Sequence, residues 1–129
     1  MNAPRLSIEL VGIAKRDGEG WRTTWRVANP EAETVRIVAA VAPHSQFRGE
    51  TSLDREIRGK ASTQFSLVVR IDGATGSEIE NAFVILLVER GEDRWRILTR
   101  LRVPLEEGAR PRPRVEAVTV QRVGFSGEL

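Results

Sequence analysis

The sequence predicts an all-β, antiparallel domain, and three observations carry the prediction. Apolar residues recur with a period of two along most apolar segments, clusters of Gly, Pro, Asn and Asp punctuate those segments, and no segment shows the 3.6-residue period of an amphipathic helix. About seven such segments follow one another at roughly 10–15-residue spacing, the pattern of an antiparallel sandwich or barrel.

The clearest element is a hairpin within residues 81–105. Trp95, Ile97, Thr99, Leu101 and Val103 alternate with Arg94, Arg96, Leu98, Arg100 and Arg102. A strand puts the first set on a core face and the second on an arginine-rich outer face, whereas a helix would spread both around its circumference. Residues 83–88, FVILLV, form an unbroken apolar run bounded by Glu89, Arg90, Gly91, Glu92 and Asp93. The run is short for a helix, and its Phe, Val and Ile content favours a central strand buried on both sides. Its expected inward set is Phe83, Ile85 and Leu87, which turns Val84, Leu86 and Val88 outward.

The remaining elements follow in chain order. Leu6, Ile8 and Leu10 alternate with Ser7 and Glu9, and Val11-Gly12-Ile13 then slips the phase as a β-bulge does. Residues 15–20, KRDGEG, carry turn chemistry. Trp21, Thr23, Trp25 and Val27 alternate with Arg22, Thr24 and Arg26 until Asn29-Pro30 ends the strand. Val35, Ile37, Ala39 and Val41 predict one face of the next strand and Arg36, Val38 and Ala40 the other, with Pro43 as its stop. Residues 44–59 read as polar and irregular, with a short edge strand at 52–57. Phe65, Leu67, Val69 and Ile71 then alternate with Ser66, Val68 and Arg70, and DGATG at 72–76 is a loop. All three tryptophans, Trp21, Trp25 and Trp95, fall on inward positions, where each indole N–H is expected to find a partner.

Domain organisation follows from composition. Residues 1–105 form the domain, residues 106–114 (EEGARPRPR) a linker held extended by its prolines, and residues 115–129 a C-terminal extension. Within the extension, residues 115–123 carry valine on both faces, which predicts a strand that adds to a sheet edge or covers an apolar face of its own or a neighbouring domain. Residues 124–129 read as a loose polar end.

Composition excludes several function classes. A chain of 129 residues without cysteine suits one domain that needs no disulfide, and it has no thiol nucleophile and no cysteine metal ligand. The start lacks a basic region followed by an apolar run, and no stretch approaches the roughly 18 apolar residues of a membrane span, so a cytoplasmic protein without membrane contact is expected. Net charge is only +2 although the pI is 9.9, because all but Lys15 and Lys60 of the 20 basic residues are arginine. Acidic residues are scattered among the arginines, and the clustered excess charge of a nucleic-acid footprint is missing.

Chemistry-bearing motifs are equally sparse. His44 is the single histidine, and a triad drawn with Ser45 and Asp54 lacks the GxSxG elbow. Residues 72–78 offer oxygen ligands without the ligand spacing of an EF-hand, and no glycine-rich phosphate cradle occurs. No catalytic residue, cofactor or metal is expected.

Residues 25–30, WRVANP, followed by Val35 and Ile37, resemble the second and third strands of bacterial immunoglobulin-like and fibronectin-type-III-like domains. The similarity extends to Arg58-Gly59 ahead of residues 65–69 and covers about residues 6–103, without the cysteine pair or any tyrosine of the antibody branch. It implies an immunoglobulin-like antiparallel β-sandwich of about seven strands, with the C-terminal strand appended, and a scaffold used for binding and assembly. In that arrangement the third and sixth strands are neighbours. Val38, Ala40, Val84, Leu86, Val88 and Leu98 then form an outward apolar band, fenced by Arg94, Arg96, Arg100 and Arg102 and open to Val118 and Val120 of the extension. Such bands mark protein interfaces, so the expected partner is a protein, including a second copy of this chain. Two other readings follow from single features: a protease-inhibitor-like module using a loop near His44, and carbohydrate or nucleic-acid binding through tryptophans or the arginine ladder.

Overall fold

The computed structural model describes residues 3–15, 18 and 20–124. Arg16, Asp17 and Glu19 of the predicted turn, and residues 125–129 of the expected loose end, lie outside the described residues. Nine strands form among the described residues: β1 (Ser7–Lys15), β2 (Trp21–Ala28), β3 (Val35–His44), β4 (Phe47–Ile57), β5 (Ser62–Ile71), β6 (Glu78–Arg90), β7 (Asp93–Glu106), β8 (Arg110–Pro111) and β9 (Arg114–Val123). The all-β prediction holds, with nine strands in place of about seven. They make one antiparallel sheet in the order β1-β2-β5-β4-β3-β6-β7-β8, with β9 beside β7, wound almost closed into a barrel.

The winding turns on β4. It pairs with β3 along its length but with β5 only through Phe47–Ile71 and Arg48–Arg70, after which the two strands diverge. At the point of divergence a Cβ on Gly49 would run into the carbonyl of Val68, so the close approach of two backbones requires glycine there. On the far side, the Arg110 guanidinium donates to the Ile13 carbonyl at 3.0 Å and lies 5.6 Å from the centre of the Trp21 ring. That contact draws β8 toward β1 and nearly closes the seam.

One apolar cluster fills the interior, with side chains from β1 to β7. Trp25, fully buried, donates its Nε1–H to Thr23 Oγ1 at 2.7 Å, and that hydroxyl donates to the Leu67 carbonyl at 2.7 Å. The predicted bulge in β1 appears as a register shift between Leu10 and Gly12. In β7 the alternation is observed as read, with Trp95, Ile97, Thr99, Leu101 and Val103 buried. Asn29 does more than end β2: buried, it donates through Nδ2 to the carbonyls of Glu33 (2.7 Å) and Ile57 (3.2 Å) and accepts from the Glu31 N–H at 3.2 Å.

Several expectations are corrected. Pro43 does not stop β3, which runs on to His44, because a proline is tolerated where the strand nears its hairpin end. Residues 44–59 are not irregular. A tight turn at Ser45-Gln46 leads into β4, an 11-residue strand whose polar composition reflects its exposed outer side. Trp21 is only partly buried, at the seam beneath Arg110. The Trp95 indole N–H is buried without a hydrogen-bond partner among the described residues, and the Arg90 guanidinium lies 5.8 Å from its ring centre. Residues 107–109 form a 3-10 turn, and Pro111 and Pro113 are buried, so the proline-rich stretch packs along the end of β7.

The largest correction concerns β6. Val84, Leu86 and Val88, expected outside, are buried, and Phe83, Ile85 and Leu87 lie half-buried on the outer face. Register decides it. Arg90 pairs with Asp93 across the turn, which places Val88 opposite Trp95 and Leu86 opposite Ile97, and directly opposed residues share a face. Ala40 is buried for a related reason: a bulge at Val38, between Ile37 and Ala39, reverses the phase of β3 midway.

Candidate interaction face

The same registers build the outer surface of β3, β6, β7 and β9. Val41 lies beside Ile85, Ile85 beside Leu98 and Leu98 beside Thr119; the next row runs Ala39, Leu87, Arg96, Gln121. Phe83, Arg100 and Ala117 flank these rows on one side, and Arg36, Glu89, Arg94 and Val123 on the other. An apolar band therefore crosses the sheet, made of Val38, Ala39, Val41, Phe83, Ile85, Leu87 and Leu98, each of them partly exposed. At the bulged end it deepens into a concavity of about 300 Å³ lined by residues including Val38, Leu87, Glu89, Arg94, Arg96 and Val123.

Of the residues expected to form the band, the structure brings Val38 and Leu98 together with Arg94, Arg96, Arg100 and Arg102 on this face. Ala40, Val84, Leu86 and Val88 are in the interior instead. Val118 and Val120 lie on β9 opposite Thr99 and Ile97, hence on the inner side of the sheet, with Val120 packed on the core and Val118 exposed at the margin. Ala39, Val41, Phe83, Ile85 and Leu87 join the face although periodicity does not place them there. The signal that finds Phe83, Ile85 and Leu87 is the two-residue turn Gly91-Glu92, since a hairpin closed by Arg90 and Asp93 fixes the pairs from Glu89–Arg94 to Ala82–Leu101.

The arginines differ in how they are held. Arg102 donates to Glu116 Oε2 at 2.9 Å, to Glu78 Oε1 at 2.6 Å and to Glu80 Oε1 at 2.9 Å. Its hydrogen bond holds the Glu116 carboxyl below the usual carboxylate range, and Glu116 and Glu78 in turn raise the Arg102 guanidinium above its own. Arg100 pairs with Glu116 at 3.8 Å and Arg94 with Glu89 at 3.5 Å. Arg36 pairs with Asp54 and, at 3.7 Å, with Glu56. Arg96, flanked by Leu87 and Gln121, has no carboxylate within ion-pairing distance among the described residues.

His44 and Asp54 sit far apart along the β3–β4 hairpin, and His44 Nδ1 accepts from the Gln46 backbone N–H at 3.0 Å. The 72–76 loop is a braced turn in which Gly76 N–H donates to the Leu105 carbonyl at 2.8 Å and Ser77 Oγ donates to the Ala74 carbonyl at 2.6 Å. No helix among the described residues is long and apolar enough to cross a membrane. The chain matches no protein-family model and no curated protein.

Proposed function

We propose that the protein is a non-enzymatic binding or assembly module that engages a protein partner through the outer face of β3, β6 and β7. The observation that supports this reading is the apolar band with Arg96 beside its Leu87 and Leu98, unpaired among the described residues: aromatic and aliphatic side chains with arginine are the composition of interface cores. The strand order also favours an immunoglobulin-like scaffold. β1-β2-β5-β4 and β3-β6-β7 follow the A-B-E-D and C-F-G orders of that fold, with β4 linking the two halves.

Site-specific photo-crosslinking in cells tests it. A photoreactive residue at Ile85 is expected to capture a defined protein species, and one at Arg26, on the exposed outer side of β2, is expected to capture none of it. Ile85→Glu should leave the thermal midpoint nearly unchanged and abolish the captured complex. Equal capture from both positions, or none from Ile85, would remove the outer face as the working surface.

A further inference from the structure

β9 is an edge strand, paired with β7 on one side and with no strand on the other among the described residues. Folded proteins usually protect such edges with charge, proline or a bulge. β9 carries those devices only toward its ends. Its bulge, at Glu116, and Arg114 lie at the start and Arg122 near the finish, while residues 117–121, AVTVQ, hold no charge, glycine or proline. Exposed valines mark the same strand: Val115 is 41% and Val118 43% exposed, among the few large apolar side chains so open to water.

The strand is complementary to itself when reversed. An antiparallel pair centred on Thr119 sets Val118 opposite Val120 of the second copy and Ala117 opposite Gln121. Val118 and Val120 lie on the same side of β9, since they oppose Thr99 and Ile97 on the inner side of β7. Pairing would therefore cover the exposed valine with a valine. The charged ends are already satisfied within each copy: Glu116 binds Arg102 on the outer face at 2.9 Å and Arg122, opposite Trp95 on the inner side, binds Asp93 at 2.7 Å, so pairing strands no lone charge. A shift of the centre by one residue loses the valine match.

We infer that two copies of this chain associate through the free edges of β9, antiparallel, with Thr119 on the twofold axis. Main-chain hydrogen bonds supply the attraction, and the valine register supplies the specificity. Because the axis stands perpendicular to the sheet, the outer faces of the two copies lie on the same side and form one continuous surface. The inference uses β9 alone and stands whether or not the outer face binds a partner.

Sedimentation of the full chain across the micromolar range is expected to show a monomer–dimer equilibrium. Ala117 and Gln121 share the outer face, so Ala117→Lys with Gln121→Lys sets lysine against lysine and Ala117→Glu with Gln121→Glu sets glutamate against glutamate, and each double variant alone should be monomeric. An equimolar mixture of the two double variants sets lysine opposite glutamate at both positions and should recover dimer, a gain that changes within either monomer cannot produce. A second measurement uses the absence of cysteine. Thr119→Cys should oxidise to a disulfide-linked dimer faster than Ala117→Cys, Gln121→Cys or the remote Ser62→Cys, because residue 119 alone meets itself. A wild-type chain that stays monomeric throughout, or a dimer whose crosslinking does not peak at position 119, overturns the inference.

Discussion

Leu86 and Leu87 are adjacent, chemically identical and on opposite faces, which makes them a direct test of the β6 register. Leu86 is fully buried between Ala40 and Ile97, with Val84 and Val88 on either side along the strand. Leu86→Ala removes three carbons from a filled interior, about 2.4 kcal/mol of transfer free energy at about 0.8 kcal/mol per methylene. The cavity left behind raises the loss to about 3–4 kcal/mol. Leu87 is already half in water, so Leu87→Ala forfeits about 1 kcal/mol and leaves no cavity. Since the two variants have nearly the same unfolded chain, denatured-state effects cancel in their difference. Urea unfolding should place the Leu86→Ala midpoint more than about 1 M below that of Leu87→Ala, at a common m-value of roughly 1.5–2 kcal/mol/M. Equal midpoints, or a lower one for Leu87→Ala, would return β6 to the phase with Phe83, Ile85 and Leu87 inside.

Two further predictions test polar groups. Asn29→Ala leaves the buried Ile57 carbonyl and the Glu31 N–H short of a partner, and should cost about 2–3 kcal/mol in chemical denaturation. Asn29→Asp should cost at least as much, because a carboxylate accepts and cannot donate to the Glu33 and Ile57 carbonyls; an Asn29→Asp variant as stable as the wild type would show that these hydrogen bonds are not made. Glu116 has a depressed carboxyl pKa, so its pairing with Arg102 is fully present above the unfolded carboxylate value and is lost as pH falls through the lower folded one. Amide shifts of residues 115–117 should titrate below the ordinary carboxylate range, and Glu116→Gln should remove that step; titration of Glu116 at the ordinary value would contradict the geometry.

Much of this fold is legible where a strand buries one face only. Trp95 to Val103 and Phe65 to Val69 alternate cleanly, because polar residues on the wet side mark the phase. Residues 83–88 carry no such mark: apolar on both faces, the run needs information from its partner strand. That information is the position of the turn, so arithmetic across Gly91-Glu92 identifies Leu86 as interior where periodicity alone does not. The β3 bulge at Val38 has no comparable signal, since Val38, Ala39 and Ala40 are all small enough for either side and no glycine announces the slip. Residues 44–59 read as irregular because β4 is exposed over most of its length, and an exposed strand shows little hydrophobic periodicity.

The arginine content bears on what the outer face can recognise. A phosphate backbone requires cations free to exchange small counterions for phosphates. On this face Arg102 is held by three carboxylates, Glu78, Glu80 and Glu116, and Arg36, Arg94 and Arg100 each by at least one. A polyanion would have to displace those carboxylates and then lie beside them, so the local field does not favour it despite the pI of 9.9. A protein surface faces no such obstacle. It can cover Phe83, Ile85, Leu87 and Leu98 with apolar side chains, leave the rim pairs hydrated, and offer one carboxylate or carbonyl to Arg96, the arginine on this face without an acidic partner among the described residues. An apolar band bordered by paired arginines and one arginine without an acidic partner among the described residues therefore suits a protein better than a polyanion.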